Sequence, residues 1–538
     1  MAETEAPPRV SSFSKALVLG EIHEDLVFPY PIPNGDEAEK VVGLIRAFRE
    51  YAAENIDARK IDEEARIDEQ IYRDLGELGL MGLWVPEEYG GQGLSQTGYG
   101  RVFEAIGQAS GSLVIGMGVH QSIGYKGIGL FGSDEQKERF LPDLAAGRKL
   151  AGFALSEPNA GSDAYNIESR AVQQSDGSWV LNGEKIFIGN ANRGDVFTTF
   201  ARCEIDGKDT HIALILEKGM EGLEAGEPWF YMGLRGNNNA PLYFRDVRVP
   251  PENVLGEPGE GFKIAMSILN NGRIGLGTGS VGLSKLLIDL AIDHVKTRKQ
   301  FGKPLAELDM VQDKISWMVS YLFGLESMAY LTCGLVDSGV EDYTLESAMI
   351  KVAGTEFVWY QANRAMQLRG GRGYRNTEPY ELIMRDIRIF PIFEGANDVM
   401  RSYIALNAIK AVGEELEGLG DLKLADPIRA LGTLSDYVVG RVQRSVRPDR
   451  ITMAHGDLET LARPVTDQVK RLRSTAESLL RKHGRNVVEQ GMAHKRFADA
   501  LSDVYAQVAV LSRVSSIFEQ HGADLSGQEA YIAETFCT

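Results

Sequence analysis

Residues 179 to 189 read WVLNGEKIFIG, and this stretch decides the class of fold because we interpret it as two short alternating runs. A period of two is typical of a β-strand that is buried on one face. The Asn182-Gly183 pair joins two short alternating runs and predicts a tight hairpin turn between them. HIALILE (211 to 217) and PLYFRDVRVP (241 to 250) predict further strands. Residues 151 to 258 are therefore predicted to form a β domain.

The segments on either side of this β domain have helical periodicity. AEKVVGLIRAFREYAAEN (38 to 55) precedes it, and SKLLIDLAIDHVKTRKQF (284 to 301) and VQDKISWMVSYLFGLESMAYL (311 to 331) follow it. Apolar residues in these stretches recur three and four positions apart. The predicted fold class is mainly α with a central β domain. The predicted parts are an N-terminal arm (1 to 39), a helical domain (40 to 150), the β domain (151 to 258), a helical-bundle domain (259 to 412) and a C-terminal helical extension (413 to 538).

Composition limits the classes of function. A net charge of −19 argues against a general nucleic-acid binder, and 43% hydrophobic with 25% charged residues is ordinary for a globular protein. The three cysteines form no CxxC, and no HExxH or similar histidine spacing occurs, so no metal site is predicted. The acidic start MAETEAPPRV has neither signal-peptide nor transit-peptide character. A cytoplasmic protein is the expectation, and a mature mitochondrial matrix protein is the alternative.

One glycine motif imitates a nucleotide-binding fingerprint. GTGSVG (277 to 282) matches GxGxxG, but a helical segment precedes it instead of the strand that a dinucleotide-binding unit requires. We therefore reject a Rossmann domain. The small residues are expected to let two helices, or a helix and a ligand, approach closely.

A carboxylate among apolar residues is the first candidate for chemistry. In IFPIFEGANDVM (389 to 400), Glu394 follows Ile392 and Phe393 and precedes a glycine. Apolar surroundings raise the pKa of a carboxyl group toward neutrality, where a general base is most effective. The alternative is a structural ion network with the upstream Arg385, Asp386 and Arg388. This segment alone leaves both interpretations open.

Two other segments are candidate binding elements. In AGFALSEPNAGSD (151 to 163), exposed backbone N–H groups and a hydroxyl could hold a phosphate or a flavin edge, although an ordinary β-turn explains the pattern equally well. Between 429 and 450, arginines interleave with apolar residues. That pattern predicts either an amphipathic helix at a membrane surface or a solvated helix or linker.

Four motifs in order make the chain similar to the acyl-CoA dehydrogenase family. They are AGFALSEPNAGSD, TRKQFGKPL (297 to 305), QLRGGRGYRNTEP (367 to 379) and RDIRIFPIFEGANDVMR (385 to 401). VFPYP (27 to 31), GVHQSIGYKGI (118 to 128) and the region after 411 further resemble the very-long-chain branch. The resemblance implies a helical, β-barrel, helical architecture, FAD as cofactor and a long-chain acyl-CoA as substrate.

The resemblance also assigns chemistry. Glu394 would remove the substrate α-proton, and its backbone N–H with a flavin hydroxyl would stabilise the developing enolate. A β-hydride would pass to the flavin. The cofactor-binding residues that it implies are Phe153, Leu155, Ser156, Gly161, Ser162, Phe187 and Gly189, with Arg298, Phe301, Gln367 and Gly371 reaching the FAD of a neighbouring subunit. The substrate-binding residues are Ser162, Asn270, Arg273, Gly395, and Gly116 and Gly118 in the wall of the acyl pocket, where close helix packing is the alternative.

Two positions depart from the family pattern. Gly189 stands where the family has a hydroxyl residue that hydrogen-bonds the flavin near N5, and Ala396 replaces a threonine that contacts the adenosine part of FAD. Loss of one such bond costs on the order of 1 kcal/mol. The departures favour, as an alternative function, a weakly active relative that serves as an assembly protein of a respiratory complex. An acyl-CoA oxidase is a further alternative.

The resemblance implies partners as well. It predicts a homodimer, an electron transfer flavoprotein as electron acceptor, and a peripheral membrane contact through residues 429 to 450.

Overall fold

The structure is a computed structural model that describes residues 12–33, 35–237, 239–420, 450–522 and 527–537. The chain forms two compact units. The large unit contains residues 33–318 and 354–396, and the small unit contains residues 1–32, 319–353 and 397–538.

Helices make up most of both units. Their bounds are α1 (Phe13–Val18), α2 (Gly35–Asn55), α3 (Ala58–Glu64), α4 (Glu69–Glu77), α5 (Gln96–Ala109), α6 (Gly111–Gly118), α7 (Lys126–Phe131), α8 (Asp134–Ala145), α9 (Gly261–Thr297), α10 (Asp309–Asp337), α11 (Thr344–Arg369), α12 (Pro379–Ile387), α13 (Asn397–Gly420), α14 (Glu459–His483), α15 (Gly491–His521) and α16 (Gly527–Cys537).

The strands lie between α8 and α9, apart from one short hairpin after α9. Their bounds are β1 (Ala151–Ala154), β2 (Arg170–Gln173), β3 (Trp179–Ile188), β4 (Val196–Ile205), β5 (Lys208–Glu217), β6 (Leu223–Ala225), β7 (Ala240–Val249), β8 (Val254–Leu255), β9 (Lys299–Gln300) and β10 (Lys303–Pro304). The main sheet has the order β6-β7-β3-β2-β4-β5-β8, and β1 pairs in parallel with β4. The helical, β, helical order read from the sequence is confirmed.

The hairpin predicted at Asn182-Gly183 is wrong. Both residues lie inside the single strand β3, where the pairing with β7 shifts register between Leu181 and Gly183. The Asn182 amide instead exchanges hydrogen bonds of 2.9 Å with Asp246 on β7. The tight turn is Asp206-Gly207, which joins β4 to β5 with two residues of positive φ. Asn-Gly and Asp-Gly both favour a two-residue hairpin turn, and strand pairing decides which of the two pairs forms one.

The glycines of GTGSVG lie in the middle of α9, which confirms that they are no nucleotide-binding loop. A Cβ at Gly282 would lie 2.0 Å from the backbone oxygen of Glu104 on α5, and one at Gly279 would lie in ordinary contact with Val114, 3.4 Å away. The missing side chain at Gly282 therefore lets α5 and α9 approach closely, as predicted.

Helix α9 also ends earlier than its periodicity predicts. The helix stops at Thr297, and residues 299 to 304 form the β9–β10 hairpin. Phe301 and Gly302 at its turn have φ of 54° and 79°, which a helix cannot contain. Helices α9 and α10 are long and apolar enough to cross a membrane, but 78% and 67% of their most apolar windows are buried. Such burial is typical of core helices.

In the small unit, the segment from α1 to residue 32 packs along the C-terminal helices. Arg473 on α14 donates to the carbonyl of Leu19 over 2.5 Å, and the Tyr30 N–H donates to Ser516 on α15 over 2.8 Å. The amphipathic segment predicted at 429 to 450 lies outside the described residues except Arg450.

A fully buried carboxyl group in the small unit predicts pH-dependent stability. Glu346 on α11 accepts a hydrogen bond of 2.7 Å from the Ser14 N–H, and burial raises its pKa to about 7. The unfolded chain releases this proton near pH 4.5, so its stabilising effect is complete below that pH. The effect is lost as pH rises to about 7. We expect the free energy of unfolding to fall by about 3 kcal/mol from this group between pH 4.5 and 7.

Urea titrations at several pH values, made with the wild type and with Glu346→Gln, measure this contribution. Because glutamine keeps the acceptor and has no proton to lose, the variant is expected to show a flatter pH profile. Identical pH profiles would contradict the assignment.

Candidate active site

Glu394 lies on the loop between α12 and α13, where the backbone bends back on itself. Its φ is 55° and that of Gly395 is 94°, so two consecutive residues occupy the left-handed region. A glutamate rarely adopts this conformation without surrounding contacts that hold it. The side chain is half-buried. The contacts around this loop therefore hold it in its bent conformation.

The carboxylate of Glu394 reaches helix α9 at a glycine. An ideal Cβ at Gly272 would lie 3.0 Å from Glu394 Oε2 and 2.7 Å from Ile123 Cγ2. Any side chain at this position would therefore displace the carboxylate or the isoleucine. Sequence reasoning missed Gly272, since a glycine inside a helix gives no local sign of what approaches it.

Arg273, next in α9, holds the loop of Glu394. Its side chain is 2% exposed; Nε donates to the Glu394 carbonyl oxygen over 3.3 Å and Nη1 donates to Asn270 Oδ1 over 2.8 Å. The structure thus brings the predicted residues Glu394, Gly395, Arg273 and Asn270 together. The contact of Arg273 is with the backbone of the loop, which is how a positioning residue acts.

The charged residues just upstream of this loop have their own partners. Arg385 pairs with Asp62 through two hydrogen bonds of 2.8 and 2.7 Å, and the Arg388 guanidinium lies 5.8 Å from the Trp359 ring centroid. Asp386 accepts a backbone N–H over 2.6 Å, and burial raises its pKa to about 7. These contacts give the three upstream charges structural roles of their own, which weakens the ion-network interpretation.

The second set of predicted residues gathers where β1 ends beside β3. The Ile186 N–H donates to the Ser156 carbonyl over 2.9 Å, so Leu155 and Ser156 run alongside the strand that carries Phe187. Phe153 on β1 packs against Phe200 with ring centroids 5.1 Å apart. Residues separated by about thirty positions thereby lie side by side, with Leu155 buried and Phe187 exposed.

A buried ion pair joins these two segments. Lys185 on β3 is fully buried, and its Nζ donates to Glu157 Oε1 over 2.6 Å and to the Leu155 carbonyl over 3.0 Å. Burial lowers the pKa of Lys185 to about 8. Burial opposes ionisation of Glu157, yet Lys185 and the backbone N–H donors of Glu168 and Ser169 hold its pKa below the usual value. Sequence reasoning missed Lys185, although it falls among the inward-facing positions of β3.

Replacing Lys185 by methionine is expected to lower the free energy of unfolding by about 3–5 kcal/mol, because Glu157 would stay buried without its cation. Urea denaturation measures the loss. In the double variant Glu157→Gln/Lys185→Met no buried charge is left, so we expect a smaller loss than in the single variant. A single variant as stable as the wild type would show that the ion pair does not hold the segment.

The surface beside β3 fits a flat aromatic cofactor. Phe187 is 57% exposed with φ of 60°, and its ring meets that of Trp229 at 5.1 Å. A Cβ at Gly161 would meet nothing within 4 Å, and both Gly161 and Ser162 are exposed. An exposed aromatic face and an open glycine turn suit the ring system and the phosphates of FAD, respectively.

The four residues predicted to reach a neighbouring subunit form a separate group, and all of them are exposed. Phe301, with 91% of its surface exposed, stands at the tip of the β9–β10 hairpin. The ends of α9 and α11 that carry the group are joined by a hydrogen bond of 2.8 Å between Arg369 and His294. The members are Arg298, Phe301, Gln367 and Gly371.

The two glycines predicted in the acyl-pocket wall differ in their surroundings. An ideal Cβ at Gly116 would lie 2.5 Å from Tyr72 Oη and 2.9 Å from Asn237 Oδ1, which is close packing. At Gly118 the nearest atoms, in Phe103 and Ser122, are at ordinary contact distance. Only Gly118 leaves room beside its backbone, and its contact with substrate stays a prediction.

Comparison with known proteins covers nearly the whole chain. Family models of the acyl-CoA dehydrogenase N-terminal, middle and C-terminal domains match residues 39–148, 152–247 and 259–409, and the ACAD9/ACADV C-terminal domain matches 456–538. The very long-chain specific acyl-CoA dehydrogenase of Homo sapiens mitochondria is 36% identical over 98% of this chain and 82% of that protein.

Bacterial relatives show the same likeness. A probable acyl-CoA dehydrogenase of Bacillus subtilis is 33% identical over 87% of this chain and 79% of its own length. A crystal structure of an acyl-CoA dehydrogenase complexed with FAD from Bacillus anthracis superposes with a TM-score of 0.85 at 30% identity, over 97% of this chain and 89% of that one. The architecture expected from the resemblance is confirmed.

Proposed function

This chain belongs to the acyl-CoA dehydrogenase family, and from that premise we propose that Glu394 is the base with which it dehydrogenates long-chain acyl-CoA thioesters to trans-2-enoyl-CoA. The observation that carries the proposal is the way in which Glu394 is held in place. Its carboxylate lies against Gly272 while Arg273 holds its backbone. A base must be held in place to meet one particular proton.

The protein is an FAD-dependent oxidoreductase of fatty acid oxidation. FAD, when bound, supplies the acceptor for the hydride. We assign its ring to the surface of Leu155, Ser156 and Phe187, and its phosphates to the open turn at Gly161 and Ser162. The Lys185–Glu157 pair joins β3 to the segment that follows β1.

In the proposed mechanism, Glu394 takes the α-proton of the thioester onto its carboxylate. The Glu394 backbone N–H is assigned to the carbonyl oxygen on which negative charge develops, since a fixed donor aimed at that oxygen stabilises the transition state. Arg273 acts on the same loop through the Glu394 carbonyl. The left-handed backbone of Glu394 and Gly395 then sets the directions of both the carboxylate and the N–H.

The proposed assembly is a homodimer. Arg298, Phe301, Gln367 and Gly371 are all exposed in one chain, as residues that complete a partner's FAD site must be. Exposed Met310 (76%) is a large apolar residue near this group in sequence, and a second copy would cover it.

We also propose a long-chain acyl group as the substrate's acyl part, which the likeness to a relative named very long-chain specific supports. An electron transfer flavoprotein is proposed as the acceptor. A cytoplasmic and a mitochondrial matrix location both agree with relatives that come from bacteria and from mitochondria.

The experiment is an anaerobic titration of the purified protein with saturated acyl-CoAs of increasing chain length, followed by visible flavin absorption. Bleaching that is strongest with long chains, and reoxidation by added electron transfer flavoprotein, is the expected result. Flavin that no chain length reduces would contradict the function, and rapid reoxidation by oxygen alone would identify an oxidase.

A further inference from the structure

The surroundings of Gly189 show what replaces its missing side chain. An ideal Cβ at Gly189 would lie 2.9 Å from Val119 Cγ1 and 3.3 Å from Asn239 Oδ1. The space that a hydroxyl residue would occupy is therefore filled by a valine methyl group and an amide. The side chain missing at Gly189 therefore leaves no empty space, because Val119 and Asn239 occupy its volume.

Strand pairing holds Asn239 at this place. Ala240, the first residue of β7, pairs with Ile188 of β3, so Asn239 lies beside Gly189 as the two strands continue. The Asn239 N–H donates to the Asn237 carbonyl over 2.8 Å. The half-buried amide of Asn239 thus lies beside Gly189.

The same loop carries an aromatic neighbour of the proposed flavin surface. The backbone N–H of Trp229 donates to the Asn239 carbonyl oxygen over 3.0 Å, and the Trp229 ring contacts the Phe187 ring. Trp229 therefore links the backbone of Asn239 to the exposed ring of Phe187.

We propose that Asn239 supplies the hydrogen bond to the bound flavin that Gly189 cannot make. The inference rests on the proposed function. An amide carries both donors and an acceptor, so it can pair with a ring nitrogen that has a proton in one redox state and none in the other. A hydroxyl group has the same double capacity, which makes asparagine a chemically complete replacement.

The test uses the full-length holoenzyme and two readouts that need no turnover: the dissociation constant of FAD and the midpoint potential of the bound flavin. Asn239→Leu and Asn239→Ala remove the amide. One net hydrogen bond corresponds to about fivefold in affinity, so FAD is expected to bind about fivefold more weakly. The ratio of the affinities for oxidised and reduced FAD, which sets the potential, is expected to change as well.

Asn192→Ala is the matched control. Asn192 donates to the Gly226 carbonyl over 3.3 Å, at the other end of the loop that carries Trp229. It can therefore loosen the loop without removing the amide beside Gly189. Unchanged affinity and potential in both Asn239 variants would overturn the inference, as would an equal shift in the control.

A second variant tests the exchange directly. Gly189→Thr alone is expected to weaken FAD binding, because its side chain would collide with Val119. In Val119→Ala/Gly189→Thr/Asn239→Ala the hydroxyl returns and has room, so the wild-type potential is expected to return. A triple variant that keeps the potential of Asn239→Ala would contradict the exchange. If wild-type holoenzyme binds FAD but no acyl-CoA reduces it, the proposed function fails while the role of Asn239 is still measured.

Discussion

Replacement of Glu394 by glutamine is expected to lower the rate at which acyl-CoA reduces the bound flavin by about 10²- to 10⁴-fold, the usual contribution of a general base. Glutamine keeps the shape of the side chain and cannot accept the α-proton. The flavin spectrum and the FAD content of the variant are expected to match the wild type, since Glu394 is not among the residues assigned to the cofactor. Anaerobic stopped-flow measurement of flavin bleaching gives the rate.

Glu381→Gln is the control for this variant. Glu381 on α12 pairs with Arg385 over 2.8 Å and also with Arg59, so its replacement removes a charge from the nearby ion network and leaves the proposed base intact. We expect its bleaching rate to stay within a few-fold of the wild type. If the two variants lost activity equally, the charge network and not the base would explain the loss.

Replacement of Gly272 by alanine is expected to lower kcat by about 10²-fold, because a displacement of about 1 Å at a catalytic group has an effect of that size. The added Cβ would lie 3.0 Å from Glu394 Oε2 and 2.7 Å from Ile123 Cγ2, and one of them must move. KM for acyl-CoA and the affinity for FAD are expected to change much less than kcat. Steady-state kinetics and flavin titration separate these effects.

Gly279→Ala is a matched control on the same helix. A Cβ at Gly279 would meet Val114 at 3.4 Å, an ordinary contact, so the helix gains the same residue without a collision. Near-wild-type kcat is expected for this control. Full activity of Gly272→Ala would show that catalysis does not require the present position of the Glu394 carboxylate against Gly272.

The order of the domains was readable from local patterns alone. The short apolar runs of β3 and the helical period around it reflect which residues of each segment are buried, and that information is carried by neighbouring residues. Local patterns failed where a partner segment decides the outcome. Asn182-Gly183 would turn in isolation, but β7 pairs on both sides of it and keeps it in a strand.

The candidate site divides in the same way. The motif around Glu394 identified the proposed base, since a carboxylate between apolar residues and a glycine is visible in the chain itself. The residues that surround Glu394 could not be predicted from the sequence. Arg273 and Glu394 are 121 positions apart, and nothing within α9 indicates that the carboxylate lies against Gly272. Lys185 likewise became an ion-pair partner only when β3 was set beside Glu157.

The sequence by itself thus determined the helical, β, helical order, the family likeness and the identity of the candidate base, because each depends on residues close together in the chain. Only the tertiary structure decided which glycine lies against the carboxylate, which charge is buried beside the proposed flavin surface and which amide lies beside Gly189. These depend on close approaches between distant segments. Such approaches are set by packing of the whole unit, where a single methyl group is enough to exclude a neighbour.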